Sequence, residues 1–160
     1  IDSPFKENAY TPWMVVNILT KQKPNNYGFW QNEYLDSVSG FLGFIDSSVQ
    51  HQGSLKGVHC LTGYYCLKPE HRSQLLTVED HKDRIVNETL NYMRSMIKGP
   101  IRPEAAFIHV MGHAMSIPTP HYLFNSYHEI GNFKFAGADT GRLPLLFEAI
   151  DSGIMAAKSL

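Results

Sequence analysis

Two glycines, Gly137 and Gly141, bracket Ala138-Asp139-Thr140 just ahead of an apolar run that opens on Leu143-Pro144. Glycines there let a backbone come close to a ligand, and the unsatisfied N–H groups at a helix start favour an acceptor such as a carbonyl, a ring nitrogen or a phosphate. The Asp139 carboxylate can accept from the hydroxyls of a sugar or ribityl chain. The chemistry these residues suggest is the holding of the polar part of a cofactor. The same residues also suit a plain helix cap, with Asp139 or Thr140 accepting from the first-turn amides and the glycines serving the turn.

Four histidines offer a different chemistry. His109 and His113 share one face of a predicted strand, and His121 and His128 follow nearby in sequence. Imidazoles so placed can bind a divalent metal. The spacing is not that of a zinc protease, because Val110 follows His109 where the helical H-E-x-x-H pattern has Glu, so isolated hydrogen-bonded histidines are the competing reading. Tyr64, Tyr65 and Tyr122 can wall a substrate pocket or fill a core. Cys60 and Cys66 fall in one predicted strand about 20 Å apart and cannot bridge each other there. Two such cysteines argue for a reducing compartment, and the apolar runs fall short of the ~20 residues that span a bilayer, so the expectation is a soluble cytoplasmic protein.

The elements that must position these groups read off periodicity and punctuation. Trp13–Thr20 is a β-branched and aromatic strand, followed by a Pro/Asn turn over 21–26 and an irregular stretch with a short strand near Asn32–Leu35. Phe41–Val49 and Val58–Leu67 are two further strands around a turn at 51–54, an antiparallel pair. Thr77 is the predicted N-cap of a long helix whose apolar face is Val78, Val86, Leu90, Met93 and Ile97, with Asp83, Arg84, Glu88 and Asn91 opposite and Gly99-Pro100 as the stop. Glu104–Met115 is a fourth strand, with Phe107, His109, Met111 and His113 on one side. The chain closes with a strand at Asn132–Ala136, the glycine-flanked turn, and a helix whose stripe is Leu143, Phe147, Ile150, Ile154 and Ala157. The fold class expected is α+β, a mainly antiparallel sheet backed by a long helix, with 1–131 as the sheet-and-helix part and 132–160 as the closing strand–turn–helix.

Net charge is −1 over 160 residues, from 14 Lys plus Arg against 15 Asp plus Glu. Such a balance provides no field for gathering nucleic acid or anionic lipid, so neither nucleic acid nor membrane is expected as a partner. The sequon Asn87-Glu88-Thr89 lies inside a predicted helix and reads as chance.

Gly137 to Gly141 with the run Leu143 to Gly153 resembles the C-terminal flavin-contacting segment of bacterial FAD-dependent oxidoreductases of the amine-oxidase-like superfamily. Tyr10 to Asn17 (YTPWMVVN) resembles that family's APWLVAN strand, Gly43-Phe44-Ile45 with Gln50 its LGYV…HQ segment, and Gly112-His113-Ala114-Met115 its GHAM turn. The resemblance covers nearly the whole chain. It implies that Gly137, Asp139, Thr140 and Gly141 meet the ribityl chain and ring edge of FAD, and that the Leu143–Leu145 amides face its pyrimidine end. It makes His113 the polar group nearest the reacting centre, and Tyr64, Tyr65 and Tyr122 walls of a substrate pocket over the flavin. The family's dinucleotide fingerprint, G-x-G-x-x-G, is absent from this sequence, which opens on Ile1. These residues are therefore expected to be the C-terminal portion of a longer flavoprotein, lacking the N-terminal dinucleotide-binding half and binding FAD poorly alone. The closing strand should belong to a parallel sheet supplied by that half. In its absence the Leu143–Ala157 stripe should lack a partner and drive homo-oligomer formation. The rival expectation is a non-catalytic ligand-binding domain or a histidine-based metal-binding protein.

Overall fold

The structure is a computed structural model that describes residues 5–21, 29–35, 38–50, 57–97, 99–120, 128–140 and 143–159. It is α+β. A five-stranded sheet runs in the order β2-β3-β4-β1-β5, built from β1 (Tyr10–Thr20), β2 (Gln31–Glu33), β3 (Phe41–Asp46), β4 (His59–Cys66) and β5 (Pro103–Ser116). The pairs β2/β3, β3/β4 and β4/β1 are antiparallel, and the last runs in register from Trp13↔Cys66 to Thr20↔His59. By backbone contacts the chain forms two compact units, one Pro12–Gly112, the other Ile1–Thr11 with His113–Leu160.

In the first unit the two-residue strand period sets the layers. Met14, Val16, Ile18 and Thr20 of β1 are buried, as are Leu61, Gly63 and Tyr65 of β4, while the residues between them are half-buried. The buried face meets helix α2 (Lys82–Met96), which contributes Ile85, Leu90 and Met93 to a core completed by Phe41, Phe44, Leu75, Val78, Ile97 and Ile101. Each such side chain stabilises the fold by roughly 1.5–3 kcal/mol through burial alone. Gly63 lets the helix lie close, since a Cβ there would sit 3.1 Å from Met93 Cε, Phe41 Cε2 and Thr89 Cγ2. Gly43 marks a bulge between β3 and β4. Its φ of 125° and an Asn32 carbonyl only 2.0 Å from any added Cβ restrict the position to glycine.

Three boundaries differ from the sequence expectation. The second strand stops at Asp46, and a single turn, α1 (Ser47–Gln50), follows because the Ser47 hydroxyl donates to the Cys60 carbonyl at 2.9 Å. Thr77 does not cap a helix: its hydroxyl donates back to the Gln74 carbonyl at 3.3 Å, within a 3-10 run over Pro69–Thr77. A second 3-10 turn, Glu79–His81, leads into α2, which starts at Lys82 without a side-chain cap. The buried face of α2 is therefore led by Ile85, with Val86 only packed at its margin. Beyond Lys21 the predicted turn at 21–26 lies outside the described residues, as does the whole of that at 51–54.

In the second unit, β6 (His128–Ile130) and β7 (Phe133–Phe135) form an antiparallel hairpin with His128 opposite Phe135. The closing strand thus has β6 as its partner among the described residues. A 3-10 turn, Ala138–Thr140, leads to α3 (Leu146–Lys158), which packs on that turn and on β7. The buried residues of α3 are Glu148, Ser152 and Ala156, spaced i, i+4, i+8. The opposite face carries Phe147, Ile150 and Ile154, exposed to 60%, 54% and 47%. The helix is turned inside out relative to an ordinary surface helix.

Candidate functional site

The glycine-flanked turn is fixed by hydrogen bonds that start from Gly137. Its φ of 146° is open to glycine, and a Cβ there would meet nothing within 4 Å, so backbone conformation rather than crowding selects the residue. The Gly137 N–H donates to Ser152 Oγ of α3 at 2.9 Å, and the Ser152 hydroxyl lies within donating distance of the carbonyls of Ala149, 2.9 Å, and Gly137, 3.1 Å. Thr140 donates to the same Gly137 carbonyl through both its N–H, at 3.1 Å, and its hydroxyl, at 2.8 Å. A buried polar stripe on α3 is the means by which the turn is locked to the helix.

That arrangement leaves Asp139 exposed at the tip. Its carbonyl accepts from Asn8 Nδ2 at 3.0 Å, and its Oδ1 accepts from the Ser116 hydroxyl at 3.2 Å. Helix α3 begins after Leu145, which is extended at φ −123° and ψ 149° and gives no side-chain cap. Leu143 and Leu145 are exposed beside it. Among the described residues, the groups presented to a polar ligand here are Asp139 and the first amides of α3, whereas the Leu145 N–H donates to the Leu143 carbonyl at 2.8 Å and the Thr140 hydroxyl is buried and engaged by Gly137. Gly141 lies outside the described residues. The donor and acceptor set suits a polyhydroxylated chain ending in a heteroaromatic ring with acceptor atoms.

His113 is exposed on β5, edge-on to Tyr10 with ring centroids 5.5 Å apart. By strand alternation it and Ser116 fall on opposite faces of β5. The adjacent tyrosines of β4 also part company. Tyr64 is half-buried beside Trp13, the rings at 6.1 Å and 70°, and with Trp30, Leu42, Phe44 and Ile45 it lines a mostly apolar groove of about 290 Å³ within the first unit. Tyr65 points into the core, 5% exposed. Its hydroxyl is 2.8 Å from Thr89 Oγ1, which itself donates to the Ile85 carbonyl at 2.7 Å, so Tyr65 is the donor of that pair. Burial pushes the Tyr65 phenol up to about 12. Tyr122 and His121 lie outside the described residues. Among those described, no three His, Cys, Asp or Glu side chains gather as a metal requires, and both cysteines are free thiols.

The sequence reading missed three residues that the structure brings forward. Ser152 was legible, since it stands directly across α3 from the apolar stripe, where a lone small hydroxyl signals a packed polar contact. Trp30 and Ser116 carried no local signal, because the first lies in an aperiodic stretch and the second at a strand end. No helix among the described residues is long and apolar enough to cross a membrane. No family model matches the chain, and no curated protein matches it.

Proposed function

We propose that this chain is the C-terminal part of an FAD-dependent oxidoreductase of the amine-oxidase-like kind, contributing the ribityl and isoalloxazine side of the flavin site together with part of a substrate pocket. The observation that carries the reading is the Asp139 turn: an exposed carboxylate, fixed by Gly137 and Ser152, ahead of a helix start with no side-chain cap. In this reading Asp139 accepts from ribityl hydroxyls, and the Leu143 amide and the first amides of α3 donate to ring acceptors, the Leu145 N–H being taken by the Leu143 carbonyl. Gly137 and Thr140 shape the turn, and Gly141 is assigned to the same edge of the cofactor. FAD, when bound, supplies the two-electron chemistry, and the protein orients the substrate and excludes water. The groove beside Tyr64 receives an apolar part of the substrate, with Tyr122 as a further wall and Tyr65 supporting from the core. His113 is the polar group assigned to the reacting centre. The missing dinucleotide-binding half is the required partner, so the chain alone binds FAD weakly, and the reading places the protein in the cytoplasm.

The natural protein that carries this chain should release FAD on denaturation and should contain a strand followed by G-x-G-x-x-G upstream of Ile1. Absence of both overturns the reading. A second reading, a non-catalytic ligand-binding domain, draws on the aromatic groove, which is complete within Pro12–Gly112. It predicts a flavin-free natural protein whose Trp13 and Trp30 fluorescence is quenched by a small planar apolar ligand.

A further inference from the structure

A cavity that the proposed function leaves unused lies on the side of β4 opposite the Tyr64 groove. It measures about 530 Å³ and opens where the sheet, the 3-10 run and α2 meet, wholly within Pro12–Gly112. That size falls in the ~300–1,000 Å³ range of small-molecule sites. Met14, Tyr65, Leu75, Val78 and Ile85 form an apolar floor, each 8% exposed or less. The Tyr65 hydroxyl is engaged by Thr89, so polar recognition falls to the rim. There Arg84 and Glu88, one turn apart on α2, stand as an ion pair at 3.1 Å, with side chains 62% and 49% exposed. Their bond uses one of the five guanidinium N–H donors and one of the two carboxylate oxygens, so each group has capacity for a second partner.

We propose that this cavity binds a free α-amino acid with an apolar side chain, its carboxylate on Arg84, its ammonium on Glu88 and its side chain against the floor. Charge complementarity selects that class. A simple carboxylate pairs with Arg84 but stands beside the Glu88 carboxylate, and a simple amine meets the reverse conflict, whereas an α-amino acid carries both charges on one carbon and matches both ends of the pair. The pair sits at the solvent edge, so the charged end of the ligand keeps part of its hydration while its apolar side chain is buried. The cavity shares no residue with the Asp139 turn or the aromatic groove, so its ligand is independent of the flavin reading.

Calorimetric titration of the natural protein that carries this chain tests it, with L-leucine as the probe. Leucine should bind with a Kd below about 1 mM, and isocaproate and isoamylamine, which keep the side chain but lose one charge each, should bind at least ~10-fold more weakly. An exposed pair one turn apart contributes little to stability, so Arg84→Gln and Glu88→Gln should each keep the parent's circular dichroism and unfolding midpoint while weakening leucine by roughly 10-fold. In methyl spectra the signals of Met14, Leu75, Val78 and Ile85 should shift with leucine, and those of Leu42 and Ile45 in the aromatic groove should stay in place. No leucine binding up to about 10 mM, equal binding of either analogue, or binding untouched by both substitutions overturns the proposal. Shifts confined to Leu42 and Ile45 do so in favour of the groove.

Discussion

Adjacent tyrosines on β4 show how much one residue of strand register decides. Tyr65 donates to Thr89 inside the core, and its phenol is raised to about 12 by burial. The unfolded phenol titrates near ~10, so the unfolded chain loses that proton first as pH rises. Stability from this group is therefore complete below about pH 10 and falls as pH climbs toward 12, by roughly 2–3 kcal/mol in all. Tyr65→Phe should cost about 1 kcal/mol at neutral pH, for the lost hydrogen bond, and should flatten that alkaline decline; urea unfolding at pH 7 and pH 11 reads both effects. Ser152→Ala should destabilise by about 1–2 kcal/mol, since the Gly137 N–H loses its acceptor, and hydrogen exchange at Gly137 and Thr140 should quicken. In a flavin-loaded natural protein, Asp139→Ala should weaken FAD by roughly 10- to 100-fold, the loss of a charge-assisted bond, measured by flavin fluorescence on dilution.

Elements meet here through glycines and through a helix with its polarity reversed. Gly43→Ala sets a forbidden φ against the Asn32 carbonyl and should cost on the order of 3 kcal/mol or more, unpairing β2 from β3. Gly63→Ala meets Met93 Cε, the end of a flexible side chain, together with Phe41 and Thr89, and should cost only about 1 kcal/mol. Denaturant midpoints of the two variants, compared with the parent, test that ordering. Helix α3 shows that hydrophobic periodicity marks an apolar stripe without saying what packs on the other side. Its apolar stripe is regular, yet the inner contacts go to a turn that needs hydrogen bonds, so the polar stripe Glu148–Ser152–Ala156 is the one that packs.

Across the whole molecule, surface charge contributes little to the fold. The ion pairs Lys21–Glu104, at 3.0 Å, and Arg84–Glu88, at 3.1 Å, are solvent-exposed. Lys21→Ala should shift stability by less than ~1 kcal/mol, and the small shift should shrink further in high salt, as unfolding curves at two ionic strengths would show. The α+β class, the four long strands, the helix behind them and the exposed polar face of α2 follow from sequence alone, because burial on one side of a sheet or helix imposes a two-residue or 3.6-residue period that local composition must carry. Gly137 was legible for the same kind of reason, since its φ of 146° suits glycine. Tertiary structure alone decided that Tyr64 faces a groove while Tyr65 is core, that Thr77 bonds back to Gln74 rather than capping α2, and that Ser116 donates to Asp139. It also decided which stripe of α3 lies inside. Apart from Thr77, whose partner is three residues away, those outcomes depend on partners 15 to 24 residues distant in sequence or on register, and no local period encodes either.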